Sequence, residues 1–199
     1  MTPAGILLTG GASRRLGVDK AMLVRDGERL AHRMARVLAA VADPVVEVGP
    51  GVSGLVSVRE EPVGAGPLAA FGAGLAALAV RGAGDHPVLL LAVDQPDCPA
   101  ALLTFLAERP EPGAIVPVVA GRRQPLCARY PAGVAAEVAA ALASGERSLR
   151  ALLDRIAVTE IDESGWGAVA GPEAFADLDE PADLARTGWR PPGEGAVPA

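Results

Sequence analysis

The segment Leu8-Thr9-Gly10-Gly11-Ala12-Ser13-Arg14-Arg15-Leu16-Gly17-Val18-Asp19-Lys20 gathers paired glycines, a hydroxyl, two guanidiniums and an ammonium in one loop. Glycines let backbone N–H groups turn toward an anion, and arginine and lysine neutralise it. The set suits a polyphosphate. It is not a Walker A loop: five residues separate Gly11 from Gly17, and Lys20 lies three positions past Gly17, followed by Ala21 rather than Ser or Thr. Lys20 is the sole lysine among 18 basic residues. In a chain so biased toward arginine, its compact ammonium is the reason to keep it. The plain alternative is a glycine-rich βα turn with surface arginines.

Asp94 is the second candidate. It closes the apolar run Val88–Val93 and is followed closely by Pro96, a poor place for a solvated charge. A hard carboxylate oxygen there suits Mg²⁺, which takes one or two carboxylates plus substrate phosphates. The alternative is an N-cap for the segment starting at Pro99, for which Asp97 or Cys98 is nearer.

Other groups carry less. Gly49-Pro50-Gly51-Val52-Ser53-Gly54 spells GxGxxG, but Leu55-Val56-Ser57-Val58 alternates like a strand where a dinucleotide fingerprint opens a helix. It reads as a turn between strands. His32 and His86 lack metal-ligand spacing. Cys98 and Cys127 have no CxxC partner and read as small hydrophobes. Glu60-Glu61 reads as a solvated pair.

These candidates sit in an alternation of strands and helices. Strand signals fall at Gly5–Thr9, Pro44–Val48, Leu55–Val58, Val88–Val93, Ala114–Val119, Leu126–Tyr130 and Ala157–Ile161. Helical signals fall at Arg29–Val41, Pro67–Val80, Pro99–Glu108, Val134–Ala143 and Ser148–Arg155, with a last helix from Pro181. The pattern predicts an α/β fold with a doubly wound, mostly parallel sheet. Ligands in such sheets sit beyond the strands' carboxyl ends, where Thr9–Lys20 and Asp94–Pro96 lie.

With 199 residues, 50% hydrophobic and 21% charged, the chain can bury one core. The expected division is a single domain over 1–190 and a disordered tail over 191–199. No apolar run is long enough for a membrane span and no signal peptide opens the chain, so a cytoplasmic protein is expected. A net charge of −6 and 3% aromatics disfavour nucleic acid as a partner.

The loop resembles the GGxSxRMGxxK signature of nucleotidyltransferases similar to molybdenum cofactor guanylyltransferase, with Thr9 for the usual Ala and Leu16 for the usual Met. Further likenesses run in order over residues 4–188. Gly66-Pro67-Leu68-Ala69-Ala70 is similar to the GPLAG that separates guanylyl from cytidylyl members. Leu91–Pro96 resembles the strand-end DxP whose Asp binds magnesium. Gln124–Ala128 resembles QPLxAL, Gly145–Leu149 a G-E-R/K segment beside the pterin-facing side, and Phe175–Pro181 F-x-N-x-N-T-P.

The resemblance implies a Rossmann-like nucleotidyltransferase fold and Mg²⁺-dependent transfer of GMP from GTP to molybdopterin or molybdenum cofactor. Contact with cofactor-biosynthesis or apo-molybdoenzyme proteins is implied as well. It assigns catalysis to Arg15, Lys20 and Asp94. Nucleotide binding falls to Leu8, Thr9, Gly10, Gly11, Ser13, Lys20, Glu61, Pro67, Leu68 and Asp94. Asp177 and Asp179 stand where Asn is usual, and Glu61 where Asp is usual. An extra negative charge at 179 near phosphates asks for a cation, so Asp94 and Asp179 are expected as metal ligands. The alternative has Asp179 capping the helix at Pro181, with Glu180 a poor cap. The rival functions are cytidylyl transfer, a sugar-phosphate acceptor, or a non-catalytic nucleotide-binding homologue.

Overall fold

Apolar strands need both faces covered, and the chain meets this demand with helices on each side of one sheet. The structure is a computed structural model that describes residues 1–11 and 16–193. The strands are β1 (Ala4–Leu8), β2 (Val24–Arg25), β3 (Glu28–Arg29), β4 (Val45–Val48), β5 (Val56–Val58), β6 (Val88–Ala92), β7 (Ala114–Val119), β8 (Arg122–Arg123), β9 (Cys127–Tyr130) and β10 (Val158–Ile161). The α-helices are α1 (Leu30–Ala39), α2 (Pro67–Val80), α3 (Ala100–Glu108), α4 (Ala135–Ala143), α5 (Leu149–Leu153), α6 (Glu163–Trp166) and α7 (Pro181–Thr187). Short 3₁₀ turns occupy Lys20–Met22 and Pro172–Phe175.

The main sheet runs β10-β7-β9-β6-β1-β4-β5, with β8 paired to β7. β1 lies parallel between β4 and β6, β5 is parallel to β4, and β10 is parallel to β7. The expected doubly wound, mostly parallel sheet is what forms. The exceptions are β9, which runs antiparallel to both β6 and β7, and the short β8, which runs antiparallel to β7. Leu7, Leu89, Leu91, Ile115 and Cys127 face a core with α1 and α3. Ile6, Leu8, Leu90, Val116 and Tyr130 face one with α2, α4 and α5.

Two pieces of architecture bear on the site. First, β4 and β5 are parallel neighbours, a pairing that ordinarily needs a crossover of a dozen or more residues. Here residues 49–55 make the return without a helix. Second, the chain end fastens onto the β2–β3 hairpin. Val24 and Arg190 exchange backbone hydrogen bonds of 2.8 and 3.0 Å. The Arg25 guanidinium donates to the Thr187 carbonyl at 3.0 Å, lies 3.5 Å from an Asp97 carboxylate oxygen, and stacks 4.7 Å from the centroid of the buried Trp189 ring. The ordered body thus reaches Arg190; residues 194–199 of the expected tail lie outside the described residues. Among the described residues, no helix is long and apolar enough to cross a membrane.

Candidate active site

The carboxyl ends of β1, β4 and β6 open into one cleft of about 680 Å³. Its floor comes from Leu8, Thr9, Gly10 and Gly11 after β1, and from Ala92, Val93 and Asp94 after β6. Gly49 and Pro50 form one side, and the stretch from Arg59 to Pro67 forms the other. β1 is where the strand order reverses direction, the position at which doubly wound sheets hold ligands.

Lys20 reaches this cleft because Asp19 fixes the turn that carries it: an Asp19 carboxylate oxygen accepts from the Ala21 N–H at 3.0 Å. The Lys20 ammonium then bridges two carboxylates. It lies 2.6 Å from Asp179 Oδ1 and 3.4 Å from Asp94 Oδ2. Burial alone depresses an ammonium, but Asp179 and Asp94 outweigh it, and Lys20 ends above its ordinary value. Desolvation pushes Asp94 up against the pull of Lys20. Although Asp177 is exposed as a residue, its carboxyl is pushed up to about 6 by desolvation, then by the charges of Asp94 and Asp179. Among the described residues, Lys20 is thus the cation in contact with Asp94 and Asp179.

Asp94 Oδ1 is buried and has no hydrogen-bond partner. A buried carboxylate oxygen left without a donor fits a hard cation, and Asp179 stands across Lys20 from it. Among the described residues, no group of three or more His, Cys, Asp or Glu side chains is arranged to hold a metal ion. The arrangement is a pair, suited to an ion that takes its remaining ligands from phosphate and water.

The fold decides against the capping alternative for Asp179 and gives the other expected site residues these positions. Asp179 does not cap α7. That helix starts with a capping box in which Glu180 and Asp183 serve each other's backbone, so Glu180 is the cap and the Asp179 side chain stays on Lys20. Leu68 does not line the cleft: its side chain is fully buried beneath α2, and its N–H donates to the Arg147 carbonyl. Glu61 is exposed and does not border the cleft, whereas Glu60 does. Glu60 is held inward by the Gly64 N–H at 2.9 Å. Gly10 lines the cleft, and its N–H donates to the Val48 carbonyl at 3.3 Å. Leu8, Thr9, Gly11, Lys20, Pro67 and Asp94 all border the cleft. Ser13 and Arg15 lie outside the described residues.

Glu47 is a further residue of the site region that motif spacing does not single out. This glutamate is fully buried at the centre of β4. The signal was an acidic residue inside the apolar run Val45-Val46-Glu47-Val48, directly before Gly49-Pro50-Gly51.

Comparison with known proteins converges with this geometry. Residues 5–160 match the model of the MobA-like NTP transferase domain. A probable molybdenum cofactor guanylyltransferase of Opitutus terrae is 44% identical over 155 residues, covering 74% of this chain and 75% of the relative. One of Mycobacterium avium is 38% identical over 165 residues, covering 77% and 82%. Among solved structures, molybdopterin-guanine dinucleotide biosynthesis protein A from Archaeoglobus fulgidus superposes with a TM-score of 0.75 at 22% identity, covering 92% of this chain and 95% of that one. The fold is shared with that structure.

Proposed function

The chain belongs to the MobA-like NTP transferase family, and from that premise we propose that it transfers GMP from GTP to the terminal phosphate of molybdopterin or molybdenum cofactor. An oxygen of the acceptor phosphate attacks the α-phosphorus in line, the bond to the β-phosphate breaks, and pyrophosphate leaves. The reaction needs no protein nucleophile, so the residues act by positioning and charge neutralisation.

The observation that carries the reading is Lys20 held by Asp94 and Asp179 at the carboxyl edge of β1 and β6, beside a cleft of nucleotide size. Asp94, through its unpartnered Oδ1, and Asp179 would hold Mg²⁺, which when bound supplies positive charge to the phosphates. Lys20 stands ready to exchange one of its carboxylates for a phosphate oxygen and to neutralise the departing pyrophosphate. The backbone at Thr9–Gly11 lines the floor against the nucleotide. Arg15 and Ser13, from the same loop, would add charge and a hydroxyl.

Guanine is favoured over cytosine by the Gly66–Ala70 segment. A carboxylate on the cleft wall can accept from the N1 and N2 hydrogens of guanine, and Glu60, which borders the cleft, supports this reading. The proposal includes a cytoplasmic location and transient contact with proteins that deliver or receive the cofactor. Calorimetric titration with GTP, CTP and ATP in Mg²⁺ tests it. GTP is expected to bind tightest and to yield pyrophosphate once molybdopterin is added. Equal binding of CTP would overturn the guanylyl assignment.

A further inference from the structure

We propose that Glu47 is a positioning residue of the nucleotide cleft, locking the Gly49–Ser53 return loop, whose Gly49 and Pro50 border the cleft, and Thr9 of the glycine-rich loop into one piece. The inference rests on the nucleotide reading above. It begins from the missing crossover between β4 and β5. Residues 49–55 must double back along the sheet, and they do so on the face that Glu47 presents: Val46 and Val48 point to the opposite core, while Val52 and Leu55 pack with the core on Glu47's side. A returning loop in that position exposes backbone N–H groups to a dry surface, where each needs an acceptor.

Glu47 supplies the acceptors. Its Oε1 accepts from the N–H groups of Gly51 and Val52 at 2.8 and 3.1 Å, and its Oε2 from the N–H of Ser53 at 2.9 Å and from the Ser53 hydroxyl at 2.5 Å. The remaining donor comes from a different loop: the Thr9 hydroxyl reaches Oε1 at 2.5 Å. Burial pushes the Glu47 carboxyl up, but these hydrogen bonds outweigh it and hold it below the ordinary range. The two loops also touch directly. A Cβ on Gly49 would stand 2.1 Å from Thr9 Oγ1 and 2.8 Å from the Gly10 nitrogen, so only glycine permits the approach. Thr9, Gly10, Gly49 and Pro50 all border the cleft, whereas Glu47 does not. Its effect on nucleotide must therefore pass through them. This packing accounts for the first glycine of the GxGxxG spelling, while Gly51 and Gly54 take positive φ values of 83° and 81° in the return loop.

A double-mutant cycle in nucleotide affinity tests the proposal, using Glu47→Gln, Thr9→Val and the pair, with GTP and Mg²⁺ as probe. Glu47→Gln should weaken GTP binding about tenfold and Thr9→Val about threefold, with the double variant no worse than Glu47→Gln alone, because interacting partners are not additive. kcat should change less than KM. Leu78→Ala, which opens a cavity at the far end of α2, serves as a destabilised reference whose GTP affinity should equal wild type. If Glu47→Gln does not fold, Glu47→Asp, which keeps the charge and shortens the reach, enters the same cycle. Affinity within about twofold of the Leu78→Ala reference, or effects that simply multiply, would overturn the proposal and leave the nucleotide reading standing. A wild-type protein that binds none of GTP, CTP and ATP would overturn both.

Discussion

Lys20 holds Asp94 and Asp179 at once, with the tighter contact to Asp179. A guanidinium has the charge to do this but not the shape. Its planar fork must reach past the point that a compact ammonium occupies. Lys20→Arg is therefore expected to lower kcat/KM by about a hundredfold, the scale of losing one preorganised charge donor, while the protein stays folded. Steady-state kinetics with GTP and molybdopterin give the answer, and unchanged kcat/KM would remove the role assigned to its shape. Asp94→Asn should abolish turnover without unfolding. Asp179→Asn should raise the Mg²⁺ concentration needed for half-maximal rate. Asp162→Ala provides the contrast: it removes the side-chain cap of α6, where the Asp162 carboxylate accepts from the Ser164 N–H at 3.1 Å, so melting temperature should fall by the equivalent of about 1 kcal/mol while the Mg²⁺ dependence is unmoved. A shifted Mg²⁺ requirement in Asp162→Ala would mean that lost stability alone moves it.

At the scale of elements, β4 and its return loop make a prediction in pH. Glu47 sits below its ordinary value of 4.5 in the folded state. A depressed carboxylate contributes its stability in full above the unfolded value and loses it as pH falls through the folded one. Melting temperature measured from neutral to strongly acidic pH should therefore drop below about pH 4.5, the unfolded-state range, and Glu47→Gln should show a shallower drop over the same interval. The same loop shows where sequence reasoning stopped. Strands and long helices were legible because period-2 and period-3.6 patterns are local, and Lys20 and Asp94 were legible because loop chemistry follows a buried strand. The reversal of β9 was not legible, since Cys127–Tyr130 is buried on both faces and its run reads the same in either direction. The β2–β3 hairpin, β8 and α6 are too short to show a period. Leu68 and Glu61 were placed by likeness to a motif, which fixes position along the chain but not the side of a helix or turn. Glu47 is charged where the pattern asks for an apolar residue, and only the folded loop shows why.

Across the whole molecule, Lys20, Asp94 and Asp179 come from distant stretches of chain, and Arg25, five residues past Lys20, ties together the stretches that follow the other two. It lies just past Lys20 on β2, faces Asp97 beyond Asp94, and grips Thr187 and Trp189 beyond Asp179. Arg25→Met keeps the aliphatic stem and removes the grip. It is expected to lower kcat/KM about tenfold, since small misplacements of reacting groups are costly, and to speed amide exchange at Val24 and Arg190, whose mutual hydrogen bonds close the hairpin. Exchange at wild-type rates together with normal turnover would show that the fastening is incidental.

That fastening also gives the molecule an optical handle. Trp189 is buried beneath the Arg25 guanidinium, in the segment that carries Asp179, while Trp166 lies buried against Phe175 on the opposite part of the same core. A cation held over an indole ring shifts its emission. With Trp166→Phe as background, the remaining tryptophan becomes a single intrinsic fluorophore close to the chain end. If nucleotide draws Lys20 away from Asp179, one anchor of that segment is released, and a GTP-dependent change in Trp189 emission should report it without a label.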